Sequence, residues 1–162
     1  MVQYCPRGAI SRLVSVCAMA QSTRILCVCL GNICRSPTAE VVLRAHLPDA
    51  AIDSAGTGDW HLGKPPHGPA IAAAAARGYD LTPLRARQVV REDFDRFDLI
   101  LAMDRKNLAE LRRMQPPAGA RLSLYLGPLG GGDVPDPYFT GDFEGALDLI
   151  TKGAQAWAER LA

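Results

Sequence analysis

The sequence predicts a three-layer α/β/α sandwich, an open parallel sheet covered by helices on both faces. Three features point there. Two short runs, Arg24–Cys29 (RILCVC) and Leu99–Met103 (LILAM), are almost continuously apolar, as strands buried on both faces of a parallel sheet are. Segments of helical character lie between and after them, the alternation of strand and helix that builds such folds. The connections are mostly short and carry Gly or Pro, so they read as turns between packed elements.

The elements follow in order. After the strand Arg24–Cys29 and a loop containing Gly31, Ser36-Pro37-Thr38 opens a helix, with Ser36 expected as its cap and Glu40 placed where its charge suits the helix start. Ala39, Val42, Leu43 and Leu47 make its inner face, and Pro48 ends it. A short strand covers Ala51–Ser54. The stretch from Gly56 to Pro69 holds Trp60 and too many Gly and Pro residues for a regular element. Ala70–Arg77 has helical propensity and stops at Gly78. Leu99–Met103 is the next strand, Asp104–Met114 a helix closed by Pro116-Pro117, and Arg121–Leu126 the last strand. Gly130–Gly132 and Asp133-Val134-Pro135-Asp136-Pro137 form a loop. Phe143, Leu147, Ile150, Ala154, Trp157 and Leu161, spaced by fours and threes, then mark a final amphipathic helix, with Trp157 read as core.

A chain of 162 residues, 48% hydrophobic and 22% charged, suits one domain with its own core. The net charge of +1 gives no bulk attraction for nucleic acid or membrane. The five cysteines, Cys5, Cys17, Cys27, Cys29 and Cys34, crowd the first quarter of the chain. They cannot staple distant loops, and no further Cys or His follows at zinc-site spacing, so they read as reduced thiols of a cytoplasmic protein. Residues 1–22 stand apart. Arg7 precedes a short apolar stretch and Ala18-Met19-Ala20 resembles a peptidase site, but Arg12 interrupts the run. The expectation is a flexible N-terminal extension, or a start at Met19, followed by one domain over residues 23–162.

The chemistry concentrates in Cys29-Leu30-Gly31-Asn32-Ile33-Cys34-Arg35-Ser36: a cysteine, five residues, an arginine and a hydroxyl. Five residues between a strand end and a helix start can curl so that their backbone N–H groups converge on an anion. The helix start adds free N–H groups, and the planar fork of Arg35 matches two phosphoryl oxygens. Positive potential at Cys29 favours its thiolate as a nucleophile towards phosphorus. Gly31 permits a close approach. Asn32 tolerates a left-handed conformation and can lock the loop through its side chain. Ser36 can donate to the cysteine sulfur and ease its departure. Cys27, earlier in the strand, reads as core. Cys34 is either a redox partner that protects Cys29 as a disulfide or a structural thiol.

A leaving phenolate needs a general acid, and later a water molecule needs a base. Asp136, between Pro135 and Pro137, is the candidate, with Asp133 its rival. Tyr138, Phe139 and Trp60 offer aromatic walls for a flat substrate ring, or are loop anchors. No Gly-Lys-Ser/Thr follows the glycine, so this is not a nucleotide-binding loop.

The run Val28–Pro37, with Ser54-Ala55-Gly56-Thr57, Leu99–Asp104 and Asp136-Pro137-Tyr138, resembles the low-molecular-weight protein tyrosine phosphatase family from about Arg24 to the C terminus. The resemblance implies a four-stranded parallel sheet of the phosphotyrosine protein phosphatase I type. It implies Cys29 as nucleophile, Arg35 as phosphate ligand and Asp136 as general acid. Asn32, Ser36 and Ser54 match that family's scaffold of the phosphate loop, whose remaining positions here are Leu30, Gly31, Ile33 and Cys34. Trp60 and Tyr138 match cleft residues, and tryptophan at this position is like the eukaryotic-type branch. No cofactor or metal is implied. The implied partners are phosphotyrosine-containing proteins, with no nucleic acid or membrane, for a cytoplasmic monomer capable of weak self-association. Two departures stand out. Arg77 replaces a histidine often found before the glycine matched by Gly78, which puts part of the supporting network in doubt. Phe139 stands where some relatives carry a second phosphorylatable tyrosine.

Three other readings compete. Thiol-linked arsenate reductase resembles this loop but uses further downstream cysteines, and none follows Cys34. A non-catalytic phosphate- or phosphotyrosine-binding protein would not need both Cys29 and Asp136. A redox sensor built on Cys29 and Cys34 is compatible with catalysis.

Overall fold

A computed structural model describes residues 21–162. Most of the expected N-terminal extension, with Cys5, Cys17 and the alternative start Met19, lies outside the described residues. Four strands, β1 (Arg24–Cys29), β2 (Ala51–Gly56), β3 (Leu99–Ala102) and β4 (Arg121–Leu124), form one sheet in the order β2-β1-β3-β4. Every pairing is parallel. Helices α1 (Arg35–His46), α2 (Gly68–Ala75), α3 (Asp93–Arg96), α4 (Arg105–Met114), α5 (Pro137–Thr140) and α6 (Phe143–Leu161) complete the fold.

The alternation of β1 side chains explains the layering. Ile25, Cys27 and Cys29 face a core shared with Val42 and Leu43 of α1 and with Leu147, Ile150 and Trp157 of α6. Leu26 and Val28 point the other way, to Phe94 of α3 and Leu108 and Leu111 of α4. A strand buried on both faces has to be apolar, and β1 is from Ile25 to Cys29, with only Arg24 at its exposed start charged. Trp157 and Cys27 are core, as read from the sequence. The Trp157 indole donates to the Tyr125 carbonyl at 2.7 Å, and the Tyr125 hydroxyl donates to the Ile150 carbonyl at 2.8 Å, so neither buried polar atom is left unpaired.

Differences from the sequence reading have local causes. β2 runs two residues beyond Ser54 because Ala55 and Gly56 still pair with Val28 and Cys29. β4 gives way to a turn of 3-10 helix, Gly127–Leu129. α2 begins earlier than expected, with Pro69 in its first turn, and ends before Arg77. The single turns α3 and α5 are too short to leave a periodic signal. The cap assignment at α1 was wrong. The helix starts at Arg35, its cap position is Cys34 without a side-chain bond, and Ser36 is already inside. Glu40 is likewise not a first-turn charge on the surface; it is buried and turned towards β2.

Candidate active site

The carboxyl end of β1 opens into the loop from Leu30 to Cys34, at the sheet edge where open α/β folds hold their ligands. A pocket of about 260 Å³ lies over it, lined by Cys29, Leu30, Gly31, Ile33 and Cys34 from the loop. Trp60, His61, Asp136, Tyr138 and Phe139 line its other sides. Among the described residues, the backbone N–H groups of Leu30, Gly31, Ile33 and Cys34 donate to no acceptor, while that of Asn32 donates to Cys29 Sγ at 3.2 Å. Unpaired N–H groups gathered in one turn are what an anion nest requires.

A hydrogen-bond chain holds the loop from below. Asn32 adopts φ of 54°, the left-handed conformation expected of it. Its amide donates to Ser36 Oγ at 2.8 Å and to Ser54 Oγ at 3.0 Å, and its carbonyl oxygen accepts from the Arg87 backbone N–H at 3.0 Å. Ser36 Oγ sits 3.0 Å from Cys29 Sγ. Ser54 in turn donates to the Glu40 carboxylate at 2.5 Å, and Glu40 pairs with Arg44. Burial raises the Glu40 pKa above its ordinary value, against the opposing pull of the Ser54 bond and Arg44. Gly56 completes the packing, because a Cβ there would meet the Leu30 carbonyl oxygen at 2.8 Å. A side chain at position 56 would push the loop out of shape.

Arg35 is buried and tied to two aspartates, Asp104 and the pocket-lining Asp136. Nη1 donates to Asp104 Oδ2 at 2.6 Å and to the Val134 carbonyl at 3.0 Å, and Nη2 to Asp136 Oδ2 at 3.2 Å. Its Nε is the one buried side-chain polar atom without a partner among the described residues. Burial disfavours the Arg35 charge, but Cys29, Asp104 and Asp136 outweigh it and raise its pKa. The guanidinium is therefore a fixed cation with an N–H to spare, and an incoming oxyanion answers that unpaired group.

Asp136 caps α5, accepting from the Tyr138 backbone N–H at 3.1 Å. That bond, more than the flanking prolines alone, fixes its carboxyl at the pocket. Asp133, the rival, accepts from the Arg105 backbone N–H at 3.0 Å and is not among the pocket's lining residues. The aromatic side chains form an exposed rim: Trp60 is 64%, Tyr138 51% and Phe139 74% accessible. Tyr138 and Phe139 meet edge to face at 5.3 Å. Arg77 pairs with Glu144 and Asp148 of α6 and takes no part in the Asn32–Ser36–Ser54 chain, whose bonds are all made without it.

Sequence reasoning missed Asp104, His61, Glu40 and Arg87. Asp104 had a signal, since it stands just past the carboxyl end of β3, beside the loop after β1. It caps α4 by accepting from the Asn107 backbone N–H, and spends its second oxygen on Arg35. Arg87 bridges Asp53 and the fully buried Asp93, which fixes the strand-like segment that holds Asn32 and pairs with Gly56.

Comparison with known proteins agrees with this geometry. The family profile described as low molecular weight phosphotyrosine protein phosphatase matches residues 24–162. The chain is similar to the low molecular weight protein-tyrosine-phosphatase YfkJ of Bacillus subtilis, at 42% identity over 144 residues, 81% of this chain and 90% of the relative. The crystal structure of YfkJ superposes with a TM-score of 0.82 at 37% identity, covering 88% of this chain and 96% of that one. Vibrio vulnificus Wzb in complex with benzylphosphonate gives a TM-score of 0.80 at 36% identity, over 85% of this chain and 98% of its own.

Proposed function

Because the chain belongs to the low molecular weight phosphotyrosine protein phosphatase family, we propose the following roles for its site residues in the hydrolysis of protein phosphotyrosine. The enzyme is a cysteine-dependent protein-tyrosine-phosphatase that works through a phosphocysteine intermediate. Cys29 attacks phosphorus. The loop N–H groups of Leu30, Gly31, Ile33 and Cys34, with Arg35 and its spare Nε–H, take the phosphoryl oxygens as charge moves through the transition state. Asp136 gives its proton to the tyrosine oxygen as the P–O bond breaks. The resulting carboxylate then takes a proton from the water that attacks phosphocysteine, and Ser36 donates to the sulfur as it leaves.

The observation that carries this assignment is the meeting of Cys29 and Asp136 in one pocket, with the buried Arg35 bonded to the same aspartate. Trp60, Tyr138 and Phe139 would flank an aryl ester. The pocket suits a ring that carries its phosphate deep, and a short phosphoserine side chain would not span from rim to loop. Vibrio vulnificus Wzb holds an aryl-type phosphonate, benzylphosphonate, which supports the same class of ligand here. The arsenate-reductase reading finds no support. Among the described residues no helix is long and apolar enough to cross a membrane. The three free buried thiols, Cys27, Cys29 and Cys34, support a reducing compartment, which we take to be the cytoplasm. The exposed aromatic rim favours a monomer that self-associates weakly through this face. Purified protein turned over on a phosphotyrosyl peptide and quenched in acid should carry phosphate on the peptide containing Cys29. Tight phosphopeptide binding without turnover would instead establish the binding-protein reading.

Cys34 is assigned as the redox partner of Cys29. If peroxide converts Cys29 to sulfenic acid, the Cys34 thiol displaces hydroxide from that sulfur, forming a disulfide and water. Burial, then the neighbouring Cys29 and Asp136, push the Cys34 thiol up to about 12, so it does not compete for substrate, and in the attack on the sulfenic acid its proton passes to the departing hydroxide. Cys34→Ser should keep most of the aryl-phosphatase rate. After a peroxide pulse, thiol treatment should restore the native enzyme but leave the variant mostly inactive through over-oxidation of Cys29. Equal recovery of both would make Cys34 merely structural.

A further inference from the structure

A second hollow, of about 290 Å³, lies beside the pocket that holds Cys29. The two share Ile33, His61 and Tyr138 as a common wall, and Lys64, Pro66 and His67 form the far side. Among the described residues no carboxylate lines this hollow. Lys64 is exposed and makes no ion pair among the described residues. Most other cations near the site are already engaged: Arg35 by Asp104 and Asp136, and Arg87 by Asp53 and Asp93.

The hollow is well fixed for a surface feature. The His67 backbone N–H donates to the Ile33 carbonyl at 2.8 Å, tying this segment to the phosphate loop. The His67 ring lies tilted against Tyr138 at 5.3 Å and Phe143 at 5.8 Å. His61 sits close over Gly31, where an added Cβ would come within 3.0 Å of its Cδ2. Pro65 and Pro66 restrict the backbone between the basic residues. One charge and two imidazoles therefore face a space that opens directly from the reaction pocket.

The geometry points to a subsite for an acidic side chain of the protein substrate, two residues from the phosphotyrosine. It rests on the tyrosine-phosphatase reading and adds a sequence preference to it. In an extended peptide, residues two apart project on the same side, about 7 Å along the chain. With phosphotyrosine in the Cys29 pocket, that neighbour lies across the shared wall. Lys64 meets its carboxylate with charge, and the ring N–H groups of His61 and His67 can donate to it.

The test uses phosphotyrosyl peptides identical except for Glu, Gln or Lys two positions before or two positions after the phosphotyrosine. Wild-type kcat/KM should favour Glu over Gln about three- to fivefold on one of the two sides, disfavour Lys, and lose the preference as salt is raised. The Glu-to-Gln ratio should fall to about one in Lys64→Ala and invert in Lys64→Glu. A flat wild-type ratio, or a preference that survives both changes, overturns the subsite while leaving the phosphatase reading intact. Failure to hydrolyse any of the peptides or a small aryl phosphate overturns both.

Discussion

Cys29→Ser should lower kcat by about 10⁴-fold or more while the protein remains folded and still binds a phosphotyrosyl peptide. The substitution exchanges one heavy atom, sulfur for oxygen, at a position whose surroundings are already set by others. Asn32 holds Ser36 and Ser54, Gly56 packs under Leu30, and Arg35 is anchored by Asp104 and Val134. None of these bonds needs the sulfur. The anion nest and the arginine therefore survive, and they supply affinity for the phosphoryl group. What disappears is the nucleophile, since an alcohol is ionised far less readily than a thiol. The check is steady-state hydrolysis of an aryl phosphate, beside titration of the variant with the phosphopeptide. A variant that kept a hundredth of the wild-type rate would rule out Cys29 as the attacking atom. One that lost binding with activity would show that the sulfur shapes the loop.

Much of this arrangement was legible because the loop is written in consecutive residues. The five-residue spacing, the glycine, the residue able to take a left-handed φ and the arginine at the helix start are all local facts, and local rules read them correctly. The same rules misread Ser36. A serine before proline looks like a cap, but the curled loop carries the chain into helix two residues earlier and leaves the hydroxyl for Cys29 and Asn32. The residues that went unread are those whose partners are distant in sequence. Asp104 reaches Arg35 across 69 residues, and Arg87 reaches Asn32 across 55. Only the parallel register that sets β1 between β2 and β3 brings them together. Within β2, Ser54 could be placed on a strand from its sequence. That its hydroxyl would bridge Asn32 and Glu40 depends on α1 packing over it.

Asp136→Asn should cut kcat for phosphotyrosine by about 10²- to 10³-fold, and the loss should depend on the leaving group. Asparagine can still accept the Tyr138 backbone N–H that fixes residue 136, so its position is kept, although its amide NH2 then faces Arg35 in place of the carboxylate oxygen that accepts from Nη2. It has no acidic proton to give. Phenyl phosphate or phosphotyrosine, whose phenolates leave poorly without protonation, should suffer most in the phosphorylation step. An activated ester such as para-nitrophenyl phosphate releases a stable anion and should lose less in that step, so phosphocysteine should accumulate as the slower second half is exposed. Asp133→Asn provides the comparison. Its carboxylate serves the α4 terminus through the Arg105 backbone N–H, and its rate should stay within about twofold of wild type with either ester. Burst kinetics with the two esters separate the steps. An equal loss for good and poor leaving groups in the first step would remove Asp136 as the proton donor and restrict it to orienting Arg35.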